Sequence, residues 1–247
     1  MTKRILVSLT IISLVMASCR KDDATTTATE VSIETQNTYD DAAIKQFLED
    51  NYLDARGNIK AFSSTDTSDD GYTKLSAMNP VTLGSGVTYI VRANAQPTSG
   101  GTLATDDALK LMHNTMSYVA TKNDAGTIKF TSGYAFRNTI ATGYLEFDPA
   151  YYYVKDSAIK NYNTANNTSY TRSFYEIEGF QEAIKMFQSY SLNDDENYNL
   201  QGVIIVPSRA VFARDAHYNY TGYSLKDRSL VFNFQIYNKQ SRATVGN

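Results

Sequence analysis

Few side chains in this sequence carry the groups that nucleophilic, redox or metal chemistry needs, and those few are scattered. The 247 residues hold two histidines, His113 and His217, and one cysteine, Cys19. His113 falls in a stretch that reads as strand and His217 in one that reads as loop. With no cysteine partner and no close ligand spacing, a metal centre is not expected. Asp194, Asp195 and Glu196 stand together between Asn193 and Asn197. Oxygen groups at that density suit a loose calcium site, but a solvated turn is the default for such a run. No Gly-x-Ser-x-Gly, P-loop or dinucleotide motif occurs, so no cofactor is expected. Cys19 has no internal partner for a disulfide, and its chemistry depends on the residues before it.

Those residues read as a targeting signal. Lys3 and Arg4 supply a positive start, and Ile5 to Met16 form an apolar run too short to span a bilayer. Met16-Ala17-Ser18-Cys19 then looks like a bacterial lipobox, with small residues placed just before the cysteine. Residues 1–18 are therefore expected to be a lipoprotein signal peptide, and Cys19 the lipidated residue. Several acyl chains on one cysteine, at ~0.8 kcal/mol per buried CH₂, anchor stably where a single chain would not. Arg20-Lys21-Asp22-Asp23 resembles the surface-export signal of lipoproteins in the Bacteroidetes, and it also suits a solvated charged linker; both readings stand. The expected location is the bacterial cell envelope, at the outer membrane, with exposure at the cell surface under the first reading.

The rest of the sequence has no run of 18 apolar residues, and so no second span is expected. Net charge is −3, with Lys and Arg scattered, which argues against nucleic acid as a partner. There are 19 Tyr and 11 Phe but no Trp, a composition that suits an exported domain whose rings keep one edge wet.

Along the chain, residues 19–38 are rich in Thr, Ala and Ser and read as a flexible tether. From Asp40 a period appears: Ile44, Phe47, Leu48 and Tyr52 mark one helix face, Asp40 and Asp41 favour its start, and Arg56-Gly57-Asn58 ends it. Residues 39–83 are accordingly a single helix, packed on the domain, and a loop. Lys122 to Gly126 reads as a hairpin turn. Residues 134–175 form an insert with Asp148-Pro149, then Tyr151-Tyr152-Tyr153, a short helix from Asp156 to Tyr162 and a polar Asn163–Asn167 loop. Phe180, Ala183, Ile184 and Phe187 recur at i, i+3, i+4 and i+7, the stripe of a short amphipathic helix. Gly202 to Ser208 (GVIIVPS) reads as a strand buried on both faces and stopped by Pro207. In Ser229 to Tyr237, Phe232, Phe234 and Ile236 alternate with Asn233 and Gln235, a half-buried antiparallel strand.

The order Glu176-Ile177-Glu178-Gly179-Phe180, then Val206-Pro207-Ser208, then Leu230-Val231-Phe232 resembles the FK506-binding-protein (FKBP) family of peptidyl-prolyl isomerases. Ser85-Gly86-Val87-Thr88-Tyr89-Ile90-Val91 resembles the strand that opens the domain in secreted bacterial members. Ala108 to Tyr118 falls where the family has its His-Tyr-Thr-Gly strand, with His113 and Thr115 in register. Gly126 to Phe130 sits at the family's Asp-Gly-Thr-x-Phe-Asp. The resemblance covers residues 84–239 and leaves 240–247 as a tail. It implies an α+β fold: an FKBP-like antiparallel sheet wrapped around a short helix, with an N-terminal helical extension.

The chemistry so implied is rotation of X-Pro bonds in exported polypeptides. The barrier, roughly 18–20 kcal/mol, is the amide resonance itself. A dry aromatic cup lowers it because the twisted amide has less charge separation than the planar one. By motif position, Phe180 is the cup floor, and Ile177 offers a side-chain wall and a backbone N–H for the substrate carbonyl. Phe130, Phe212 and Phe232 match the aromatic walls. Asn114 replaces the family Tyr, Thr131 the family Asp and Phe212 a loop Tyr, so the polar side is rebuilt. The expected activity is that of an FKBP-type isomerase, acting as a monomer on proline-containing segments. The alternative is a catalytically weak or inactive module of the same fold that binds peptide, and a third reading is a structural surface lipoprotein.

Overall fold

The computed structural model describes residues 30–247, and Ser32–Asn247 form one compact unit. The signal peptide, Cys19 and most of the expected tether lie outside the described residues. Among the described residues, no helix is long and apolar enough to cross a membrane.

The first element, α1 (Ile33–Asp50), begins inside the expected tether. Ser32 caps it, its hydroxyl accepting the Thr35 N–H at 3.1 Å. The sequence hides this start because the first two turns bury Gln36 and Asp40 rather than an apolar stripe. Asp40 therefore does not mark the start of the helix. It lies mid-helix and fully buried, with its Oδ2 accepting the Ser208 N–H at 2.8 Å. Further along α1, Ile44 and Leu48 reach the sheet, packing with Ile90, Val203, Ile205 and Val231.

Strands follow: β1 (Asn51–Leu53), β2 (Ile59–Ala61), β3 (Val81–Thr82), β4 (Thr88–Val91), β5 (Gly101–Thr102), β6 (Ala108–Lys122) and β7 (Ile128–Asn138). The β6–β7 turn is the expected hairpin: Gly126 takes φ +85, and its N–H donates to Asn123 O. Then come α2 (Thr139–Thr142), β8 (Glu146–Phe147), α3 (Asp156–Asn166), α4 (Glu178–Ile184), β9 (Gln188–Ser189), β10 (Gly202–Val206), β11 (Arg228–Gln240) and α5 (Arg242–Val245). Helix α3 runs through the stretch expected as a polar loop and ends at Asn167, φ +51, whose N–H donates to Asn163 O. Residues expected as a tail extend β11 and form α5, where Arg242 pairs with Asp148 through two bonds of 2.7 and 2.8 Å.

The fold is α+β. One antiparallel sheet has the order β3-β4-β10-β11-β6-β7, with β8 on β6; β1-β2 and β5-β9 are separate pairs. As expected, β10 is buried throughout and Pro207 follows its last residue. Strand β11 departs from the expected half-burial, because every residue from Arg228 to Tyr237 is buried. Its alternation divides two packed faces rather than core from water. Phe232, Phe234 and Ile236 face α4, and Val231 faces α1. Asn233, on the α1 side, joins loops to the sheet: its Nδ2 donates to Gly57 O and Gly202 O, and its Oδ1 accepts from Ile59 N–H.

Candidate functional site

The short helix α4 lies on the sheet where Gly179 removes a side chain. A Cβ there would stand 2.5 Å from Val206 Cγ1 and 2.9 Å from Ala210 Cβ, so only glycine admits this approach. The close seat drops Phe180 onto β11, with its ring stacked on Phe232 at 4.2 Å and 23°. Ile177, Phe180, Phe212 and Phe232 join one buried cluster, and none is more than 5% exposed. Four of the five apolar residues expected in the cup therefore converge.

The fifth does not. Phe130 lies on the α1 side, 5.3 Å from Tyr118 in a stacked pair and 5.9 Å from Phe47. Asn114 also faces that side, lining a cleft with Phe47, Met116 and Tyr118. In β6 the cup face belongs to Leu111, His113, Thr115 and Ser117. The pairing His113↔Phe234 and Thr115↔Phe232 sets this phase, and one residue of phase turns a side chain to the opposite face. Thr131 meets neither the cup nor Asn114. Its hydroxyl sits 3.1 Å from Thr121 Oγ1 and donates to Val119 O. Asn114 and Thr131 therefore do not form the polar side of the cup, and Phe130 is not one of its walls.

The cup is filled by the chain's own insert. Tyr151, 1% exposed, places its ring 5.8 Å from Phe180, 6.0 Å from Phe232 and 5.3 Å from Phe136. Its carbonyl takes the Ile177 N–H at 2.8 Å, the same donor that the family resemblance assigns to a substrate carbonyl. Its hydroxyl donates to Glu146 Oε2 at 2.8 Å and lies 3.4 Å from His113 Nε2. Burial, then the neighbouring Glu146 charge, holds the Tyr151 phenol well above its usual range. Tyr152, fully buried, flanks Phe180 at 6.1 Å.

Beneath Tyr151 runs a line of groups in the order hydroxyl, imidazole, carboxylate. Thr115 Oγ1 is 2.8 Å from His113 Nδ1, and His113 Nε2 is 2.8 Å from Glu146 Oε2. That order is the one used to activate a nucleophile. Here His113 and Thr115 are fully buried, and the line meets the Tyr151 hydroxyl at Glu146 Oε2, so these groups hold the ring in place as a latch would. Burial works to raise the Glu146 pKa, but the His113 and Tyr151 bonds and nearby Arg137 outweigh it and hold the carboxyl below its usual value. The segment is fastened behind the ring as well. Asp148 and Arg242, each with a side chain 7% exposed, form a buried ion pair at the Asp148-Pro149 turn. Glu176 Oε1 accepts the Val154 N–H at 2.9 Å and pairs with Arg172.

Beside the filled cup lies an open cleft of ≈ 380 Å³, lined by Phe212, Tyr170, Phe174, Glu176, Glu178 and Arg209 among others. The Phe212 ring stacks on His217 at 4.9 Å, so one edge of the expected cup does meet solvent-accessible space. Among the described residues, no group of three His, Cys, Asp or Glu is arranged to hold a metal ion.

Reasoning from sequence missed the part played by Tyr151, Tyr152 and Glu146. The only signal they offered was the excess length of the insert and its run of tyrosines after Asp148-Pro149.

No protein-family model matches the chain, and no curated protein is similar to it. Solved structures similar to it include the following two. One is FkpA from Escherichia coli, 14% identical, with 65% of this chain and 51% of that chain covered and a TM-score of 0.35. The chain thus spans about half the length of FkpA. The other is a peptidyl-prolyl cis-trans isomerase from Pseudomonas syringae pv. tomato, 8% identical, with 86% and 99% covered and a TM-score of 0.36. Both likenesses are too distant to carry an argument, so the functional reading rests on residues.

Proposed function

We propose that this chain is a lipid-anchored envelope protein whose FKBP-like domain binds polypeptide without rotating its proline bonds. The observation that carries the reading is Tyr151, whose ring fills the aromatic cup and whose carbonyl takes the Ile177 N–H. Motif order supports the FKBP-like part: the matched segments fall on β4, β6, β7, α4, β10 and β11, in one antiparallel sheet against one short helix. The open cleft at Phe212 supports the binding part, being large enough for a few residues of extended chain. In this reading the chain is a monomer anchored through Cys19 at the outer membrane, as the lipobox-like segment suggests, and its partners are the proline-containing segments of exported proteins that the family resemblance implies.

The isomerase reading needs Tyr151 to leave the cup. Withdrawal would break the Ile177 and Glu146 hydrogen bonds, and the buried Asp148–Arg242 pair resists it. Removing one partner from such a pair costs about 3–5 kcal/mol.

The test is a cis-to-trans assay on a proline peptide with the full chain in detergent, alongside peptide binding by calorimetry. The expected result is binding without acceleration, with affinity falling about tenfold in Phe212→Ala. Acceleration by the unsubstituted chain overturns the reading, and so does failure to bind any proline peptide. Tyr151→Ala sharpens it: turnover gained there identifies the cup as competent machinery held shut.

A further inference from the structure

A second cleft, ≈ 200 Å³, lies on the opposite face of the sheet, between α1 and strands β6 and β11. Its walls are apolar: Phe47 from α1, Met116 and Tyr118 from β6, Val231 from β11, and Ile59 at the rim. No charged residue lines it. Three carboxamides do, and their hydrogen bonding differs. Asn233 uses both ends on backbone groups, and Asn51 donates its Nδ2 to Phe47 O at 2.7 Å. Asn114 Oδ1 is buried and has no hydrogen-bond partner among the described residues.

A buried acceptor left unpaired costs about 1–3 kcal/mol, so native structures rarely keep one without a donor to meet it. No hydrogen bond within the described residues uses the Asn114 Oδ1. Its next neighbours along the strand on the same face are Met112 and Met116, and its cross-strand partners are Asn233 on β11 and Asn138 on β7. Neither partner donates a hydrogen bond to it: Asn233 spends its Nδ2 on Gly57 O and Gly202 O, and Asn114 Oδ1 stays unpaired. An apolar side chain of similar size would avoid the cost. The volume is suggestive too, because an apolar cavity of about 150 Å³ already accommodates a benzene-sized guest.

We propose that this cleft is a binding site for a neutral, single-ring molecule bearing one hydroxyl, with the ring against Phe47, Met116, Tyr118 and Val231 and the hydroxyl donating to Asn114 Oδ1. Charge is excluded by the lining, because a carboxylate or ammonium brought there would be desolvated without a partner. The site is independent of the aromatic cup and of whether that cup turns over proline peptides. Its ligand would sit under α1, the element through which the preceding chain joins the sheet.

The experiment uses the full chain in detergent, with phenol, benzene and benzoate as probes and calorimetry as the readout. Phenol is expected to bind at least about fivefold more tightly than benzene, the increment of one neutral hydrogen bond, and benzoate not to bind. Asn114→Leu should abolish the preference for phenol. Equal affinities for phenol and benzene in the unsubstituted chain overturn the proposal. Binding of neither, as expected if the amide meets only water, overturns it as well, as does a preference that survives Asn114→Leu. Should that variant fail to fold, 4-iodophenol soaked into crystals decides. The ring in this cleft with its hydroxyl on Asn114 upholds the site, and the ring anywhere else overturns it.

Discussion

The two faces of the central sheet are built from alternate residues of the same strands, yet they are finished differently. On the face toward α4, the strands present Phe232, Phe234, Ile236, Leu111 and His113, and the Tyr151–Tyr152 segment closes over them until nothing but protein touches Phe180. On the face toward α1, Val231, Met116 and Tyr118 meet a single amphipathic helix, which leaves a cleft and an unpaired amide. The contrast teaches that a motif locates an element but not its surroundings. The face that carries the family-like residues is closed over Phe180 and open only at its Phe212 edge, while the face that carries none of the convergent set keeps a cleft under α1.

The largest expected effect breaks the sealed face. Phe180→Ala should lower stability by about 3–5 kcal/mol, because the ring is fully buried among Phe232, Tyr151 and Tyr152; denaturant unfolding measures it. A loss under 1 kcal/mol would mean that the cup is not packed as described.

Next comes the latch. The Glu146 carboxyl is held below its ordinary value of 4.5, so its contribution to stability is present above that pH and is lost as pH falls through the lowered, folded-state value. Glu146→Gln should therefore cost roughly 1.5–3 kcal/mol near neutrality, the range for hydrogen bonds to a charged group. The gap from the unsubstituted chain should narrow as pH falls below 4.5. A gap that is constant with pH would show that the ionised form of Glu146 is not what holds Tyr151.

The smallest effect belongs to the other face. Phe130→Ala, removing a half-buried ring that touches Phe47 and Tyr118, should cost about 1–2 kcal/mol and leave peptide binding at Phe212 unchanged. If peptide affinity falls with it, the separation of the two faces is wrong.

What the sequence made legible follows from how far each signal reaches. Strand β10 and helix α4 carry their own punctuation, an unbroken apolar run ending at Pro207 and a 3.6-residue stripe behind Gly179. The start of α1 has no such stripe, because its buried contacts are the polar Gln36 and Asp40, meaningful only once Ser208 is beside them. The phase of β6 was equally hidden. Leu109 to Val119 mixes polar and apolar residues on both faces, so only pairing with β11 decides that His113 faces the cup and Asn114 turns away. The placement of Tyr151 lies furthest from local signals, since its position depends on Ile177, Glu146 and Arg242, none of which its own segment announces.

Strand β11 sits between β10 and β6, hydrogen-bonded to both. Residues 228–240 thus supply the middle of the sheet, although the strands on either side of them come earlier in the chain. Until they arrive, β6-β7 and β4-β10 are two unconnected pairs, each exposing an edge and two greasy surfaces. A sheet wired in this way closes only when its late central strand slots between the two halves, so its consolidation waits on long-range pairings.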